Sequence, residues 1–131
     1  MEESNTVLIV DDTETNLRLL SVALKKLCVK LIKASSGQQA LDLVQKEKPD
    51  LILLDVAMPG MDGYEVCRRI KEDELTKDTC IIFLSAFNDS QNKVNGLKLG
   101  AVDYITKPFN AAEVRARVKT HLTIQNLHHA L

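Results

Sequence analysis

Short apolar runs alternate with segments of helical period five times along the chain, without recognisable sequence repetition. The runs lie at 7–10, 29–32, 51–54, 81–84 and 102–105, the second broken by Lys30 and the fifth by Asp103. Between them Leu17, Leu20, Leu24 and Leu27 mark one face of a first helix, Ala40, Leu41 and Val44 a second, and Val66 and Ile70 a third. Val94 and Leu97 mark a fourth, ended near Gly100, while Val114, Val118 and Leu122 stripe a fifth. The fifth begins at Asn110 with Glu113 three residues on, a capping-box-like start. This alternation predicts βα units and a parallel sheet. The three unbroken runs are expected to be central strands, since a strand covered by helices on both faces has no polar side. Right-handed crossovers make the sheet doubly wound, an α/β architecture that carries its sites at the carboxyl ends of the strands.

Reading only those ends gives Asp11 and Asp12 after the first strand, Asp55 at the end of the third, Ser85 after the fourth and Lys107 after the fifth. One Asp in such a place is ordinarily a helix cap or a solvated turn. Five chemically matched residues on one rim are a constellation. Carboxylates crowded together repel by roughly 1–4 kcal/mol per close pair, depending on the effective dielectric, so something must offset them. Mg²⁺ suits the task, because it takes octahedral oxygen ligands and keeps several waters beside a phosphate. Lys107 supplies a point charge and Ser85 a hydroxyl for phosphoryl oxygens. Asp55 is left as a carboxylate nucleophile, helped by positioning and charge neutralisation. Without metal, Asp12→Asn is expected to relieve the crowding and stabilise the fold.

Composition narrows the reading further. A length of 131 residues fits one domain, and 17 basic against 18 acidic residues leave no global field for nucleic acid or an anionic membrane. The three cysteines, Cys28, Cys67 and Cys80, are odd in number and widely spaced, and read as reduced, mostly buried thiols. The first residues are acidic and polar, and no apolar run is long enough for a bilayer, so a cytoplasmic protein is expected.

Four segments carry a family resemblance across nearly the whole chain: Val-Leu-Ile-Val-Asp-Asp at 7–12, Leu-Ile-Leu-Leu-Asp-Val-Ala-Met-Pro-Gly-Met-Asp-Gly at 51–63, Phe-Leu-Ser-Ala at 83–86, and Gly-Ala-Val-Asp-Tyr-Ile-Thr-Lys-Pro-Phe at 100–109. In that order and spacing the sequence resembles the response-regulator receiver family. The resemblance implies a flavodoxin-like (βα)5 fold, with a five-stranded parallel sheet in the order 2-1-3-4-5. It implies a Mg²⁺-dependent switch, with Mn²⁺ able to stand in, that accepts a phosphoryl group on Asp55 from a histidine kinase or phosphotransfer protein. Asp12 and Asp55 would ligate the metal directly, Asp11 through water, and Ala57 through its backbone carbonyl, while Ser85 and Lys107 hold the phosphoryl oxygens. Such a domain assists only its own phosphorylation and dephosphorylation.

Tyr104 on its own reads as an edge-strand aromatic. In the family an aromatic here turns inward as the Ser or Thr hydroxyl moves, altering the face made by the fourth helix, fifth strand and fifth helix, where an output domain or downstream protein would bind. Pro59-Gly60 fits the centre of a type II turn, and Gly63 reads as local backbone geometry. Lys107-Pro108 is implied to be cis, and Phe87 to shield the phosphoryl group. His121, His128 and His129 read as a solvated helix end, and Lys98, Arg115, Arg117 and Lys119 as part of a partner-binding face rather than a nucleic-acid groove.

The whole chain, 1–131, is expected to be one receiver domain. A helix from about residue 111 would run about 30 Å, longer than the sheet requires. Its extra turns suggest a linker to a further domain, since the segment resembles receivers followed by cyclase, phosphohydrolase or kinase modules; a homodimer is the other way to cover them. Two rival classes stay in view. A small-molecule phosphatase with an aspartate nucleophile usually has an acid/base Asp two positions on, where Ala57 stands. A phosphorylation-independent adaptor usually lacks an acid or the lysine, and this chain has them all.

Overall fold

The computed structural model describes residues 5–86 and 96–130. Five parallel strands, β1 (Thr6–Val10), β2 (Lys30–Ala34), β3 (Leu51–Asp55), β4 (Cys80–Ser85) and β5 (Asp103–Thr106), form one sheet in the order β2-β1-β3-β4-β5. The unbroken apolar runs are the three inner strands, and every residue of β3 and β4 is buried. The broken runs are the edges, where Lys30 and Lys33 of β2 are both exposed. The chain pairs β1 with β2 on one side and returns to pair it with β3 on the other. That reversal opens a crevice at the carboxyl ends of β1 and β3, the place where such folds hold ligands.

Alternation along each strand divides the core in two. Val7, Ile9, Leu51, Leu53, Ile82 and Leu84 face α1 (Glu14–Leu24) and the C-terminal helix (Ala111–Ala130), which deliver Leu17, Leu20, Leu24, Val114, Val118 and Leu122. Leu8, Val10, Ile52, Leu54, Ile81 and Phe83 face α2 (Gly37–Glu47) and α3 (Gly63–Glu72), which deliver Ala40, Val44, Val66 and Ile70. This is the flavodoxin-like, doubly wound arrangement.

Element boundaries differ from the periodicity at the edges. β2 begins at Lys30 rather than Val29 and extends to Ala34, following its pairing with β1. β5 begins at Asp103, and Val102 just before it is 45% exposed. Of the expected fourth helix, Val94 lies outside the described residues; 96–98 are helical, and Leu97 points outward at 49% exposure while Leu99 packs on the core. The turn ends in a Schellman-type closure: Gly100 sits at φ 108, its amide donates to the Leu97 carbonyl, and the Ala101 amide to that of Gly96.

The C-terminal helix is a single run of 20 residues, yet its late turns do not stand free. Gln125 donates to the Asp78 carbonyl at 2.8 Å, and Asn126 exchanges amide hydrogen bonds with Asn5 at 2.9 and 3.1 Å. The late turns thus bond to the amino ends of β1 and β4, and Ile124 and Leu127 are exposed apolar residues there. Leu131 lies outside the described residues. The carbonyls flanking Asp78 are taken by Lys71 of α3, whose ammonium donates to Lys77 at 2.8 Å and Thr79 at 2.6 Å. Lys71→Met keeps the stem and removes both bonds. It is expected to destabilise the domain by about 1–2 kcal/mol in urea unfolding, with the α3–β4 turn the first region to lose amide protection.

All three cysteines are free; Cys28 is exposed, and burial pushes the Cys67 and Cys80 thiols up to about 11, which keeps them protonated and inert.

Candidate functional site

Each residue of the rim is delivered by a strand that ends there. β1 stops at Val10, so Asp11 and Asp12 follow it; Asp55 is the last residue of β3, and Ser85 the last of β4. β5 stops at Thr106, and Lys107 follows with its amide donating to the Ser85 carbonyl at 2.7 Å. Carboxylate oxygens of Asp11, Asp12 and Asp55 all lie within 4.8 Å of one another. Asp11 and Asp55 are buried, at 0% and 1% exposure, and Asp12 stands exposed at the mouth. The Lys107 ammonium reaches Asp55 Oδ1 at 2.8 Å and Asp11 Oδ2 at 3.7 Å. The Lys107-Pro108 peptide is cis.

Burial raises Asp55 above the usual carboxylate range; the Lys107 hydrogen bond opposes this, the Asp11 charge reinforces it, and the Ala57 amide, 3.3 Å from Oδ1, opposes it weakly. Asp55 Oδ2 and Ser85 Oγ are both buried without a hydrogen-bond partner among the described residues. Buried polar atoms are nearly always satisfied, so two orphans on one rim mark where a ligand's atoms belong. The donor set is all oxygen and carries three acids against one lysine. It fits a hard divalent cation with a phosphate beside it.

Asp11 is held in place by two donors, the Thr13 amide at 2.9 Å and the Asn16 side chain at 3.2 Å. Asn16 was not among the residues singled out from sequence; its position five residues on, in the first turn of α1, is the signal that could have found it. Beyond Asp55 the chain turns through Pro59 and Gly60, whose φ of 75 matches the second central position of a type II turn. Ala57 is exposed on this loop. Gly63 then docks against the strand end, its amide donating to the Val56 carbonyl at 2.9 Å. Phe87 lies outside the described residues.

On the far side of β5, Asp103, Arg117 and His121 form a cluster. One Arg117 nitrogen lies 2.8 Å from each Asp103 oxygen, and His121 Nε2 lies 3.0 Å from Oδ2. Burial works upward on Asp103, but the Arg117 and His121 contacts and the Tyr104 amide outweigh it and hold the carboxyl below its usual value. His121 is thus bound to the body rather than part of a solvated helix end. The cause is helical spacing, which puts residues 117 and 121 on the turn facing β5. Arg115 is similarly occupied, donating to the Ala23 carbonyl at 3.3 Å.

Comparison with known proteins agrees with this geometry. A sequence model of the response regulator receiver domain matches residues 7–119. The chain is 47% identical over 117 residues to the phosphate regulon transcriptional regulatory protein PhoB of Pseudomonas aeruginosa, covering 89% of this chain and 51% of that protein. It is 46% identical over 116 residues to the alkaline phosphatase synthesis transcriptional regulatory protein PhoP of Bacillus subtilis, covering 88% and 48%. It thus spans about half the length of these curated relatives. Among solved structures, the chemotaxis response regulator CheY4 of Vibrio cholerae superposes with a TM-score of 0.85 at 28% identity, over 91% of this chain and 99% of that one. With a family match over residues 7–119 and a fold shared with solved receiver structures, this chain belongs to the response regulator receiver domains of two-component systems.

Proposed function

We propose that the chain is a phosphorylation-dependent switch that takes its phosphoryl group on Asp55, from a histidine kinase or a phosphotransfer protein. One observation carries this reading: among the described residues Asp55 Oδ2 is buried without a partner, on a rim that also holds a lysine and the unpartnered Ser85 hydroxyl. In the transfer an Asp55 oxygen forms a bond to phosphorus as the bond from phosphorus to the donor's imidazole nitrogen breaks, and the imidazole is released with the electron pair. Asp12, Asp55 and the Ala57 carbonyl, with Asp11 through water, would hold Mg²⁺ or Mn²⁺, which when bound supplies positive charge to the phosphoryl oxygens. Lys107, freed from Asp55 once that carboxylate becomes an acyl phosphate, turns to a phosphoryl oxygen, and Ser85 Oγ donates to another.

The same contacts make the switch. Drawing Ser85 toward the phosphoryl group changes the β4 end beside Tyr104, and with it the face formed by the helical turn at 96–98, β5 and the C-terminal helix. Moving such an equilibrium from 1:99 to 99:1 takes about 5.5 kcal/mol, within reach of several charge-assisted hydrogen bonds. That face is where an output domain, a downstream protein or a second copy of the chain would dock. Free cysteines suit a reducing compartment such as the cytoplasm; among the described residues no helix is long and apolar enough to cross a membrane.

Incubation with acetyl phosphate and Mg²⁺ followed by intact-mass spectrometry tests the proposal. The wild type is expected to gain one phosphoryl group and Asp55→Asn none. An undiminished adduct on Asp55→Asn would overturn the assignment.

A further inference from the structure

The position of Tyr104 depends on an absence beneath it. Phe83 and Tyr104 are register partners on β4 and β5, and their rings lie 5.4 Å apart with a tilt of 39°. Tyr64 closes on Phe83 edge-on at 4.9 Å, which leaves the Phe83 ring no room to retreat toward α3. Above this stack passes the helical segment that contains Gly96. A Cβ placed on Gly96 would stand 1.8 Å from the Tyr104 hydroxyl oxygen, 2.9 Å from its Cζ and 2.8 Å from Phe83 Cε2. The phenol end of Tyr104 therefore occupies the volume that the first side-chain carbon of any other residue would need.

Backbone conformation does not explain the glycine. Gly60 and Gly100 have φ of 75 and 108, in the left-handed region, whereas Gly96 is helical and could carry any L residue. The turn also has little freedom to lift away, since the Ala101 amide bonds to the Gly96 carbonyl and Ala101 is buried in the core. What position 96 contributes is space.

The geometry points to Gly96 as the positioning residue that admits Tyr104 to its body-facing place, so that a side chain at 96 would hold the ring outward whatever the state of Asp55. The inference rests on the reading of Tyr104 as the reporter of the Ser85 end. It deepens that reading, because it names the element that gives the ring a second place to go.

The chain has two tyrosines and no tryptophan, so 3-fluorotyrosine labelling of the full chain gives one fluorine line per tyrosine, with Tyr104→Phe as the assignment. In Gly96→Ala the Tyr104 line is expected to move to a solvent-exposed position and broaden with a soluble paramagnet, while the Tyr64 line stays. Acetyl phosphate should still label Asp55, but the response of the Tyr104 line to phosphorylation should be lost. A Tyr104 line that stays shielded in Gly96→Ala overturns the inference. Should that variant fold poorly, Gly96→Ala is expected to cost less stability in a Tyr104→Ala background than in the wild type, because the closest contact, with the phenol, is gone and only that with Phe83 Cε2 remains. Equal damage in both backgrounds overturns it too. If wild type and Asp55→Asn label alike yet the Tyr104 line moves, the phosphoacceptor reading fails and the slot stands.

Discussion

Gly63→Ala is expected to destabilise the domain by about 3 kcal/mol or more, a large share of the roughly 5–15 kcal/mol that holds a domain of this size. The added Cβ would stand 2.2 Å from the Asp55 carbonyl oxygen and 3.0 Å from both the Asp55 carbonyl carbon and Val56 Cα. All three are backbone atoms at the proposed acceptor and the residue after it, so no side chain can swing aside. Relief requires α3 to retreat from β3, which breaks the bond from the Gly63 amide to the Val56 carbonyl at 2.9 Å and unseats buried Val66 and Cys67 behind it. The midpoint of urea unfolding should fall steeply with an unchanged slope. Labelling by acetyl phosphate should fall as well, since Asp55 is placed by the same backbone. A midpoint within experimental error of wild type would show that the contact yields easily and that Gly63 is no structural stop behind the site.

The sequence made Gly63 visible as local geometry but could not show what it touches, and the same division runs through the molecule. Fully buried strands announce themselves as unbroken apolar runs, so β1, β3 and β4 and their central places were legible, and with them the strand ends that carry Asp11, Asp12, Asp55, Ser85 and Lys107. Edge strands mix polar and apolar positions, and there the boundaries slipped, at Val29 and Val102. Contacts between elements distant in sequence leave little trace. Asn16 on Asp11, Gln125 on the Asp78 carbonyl, the binding of Asp103 by Arg117 and His121, and the fit of Tyr104 over Gly96 each join residues whose individual identities are commonplace. Nothing in the last helix's own pattern reveals its contacts with Asn5 and the Asp78 carbonyl.

The crowding of acids was also readable, but not which acid bears it. Asp12 is exposed at the mouth, where solvent screens its charge, whereas Asp55 is 1% exposed with one oxygen unpartnered. Relief by Asp→Asn is therefore expected at Asp55 rather than Asp12. Without divalent cations, Asp55→Asn should exceed wild type in unfolding free energy by about 1–3 kcal/mol at about pH 7, the typical cost of a buried unsatisfied group. Burial lifts Asp55 above the ordinary carboxylate value of 3.8, so between that value and the raised one the folded state binds more protons than the unfolded chain. Stability then falls as pH rises through the window; it is fully retained below 3.8 and lost once the raised value is passed. Asparagine does not titrate, so the advantage of Asp55→Asn should open with rising pH and vanish on acidification. Mg²⁺ should close or reverse the gap near neutrality, because a ligand bound only by the folded state adds about 2.7 kcal/mol at 100 times its Kd. Wild type, which keeps the full acid set, should rise by that amount and Asp55→Asn by much less. Urea unfolding of both proteins across pH, with Mg²⁺ and with chelator, separates the two effects. A gap indifferent to pH and to metal would mean that the buried Asp55 carboxylate is already satisfied by Lys107, and that the rim has no need of a cation.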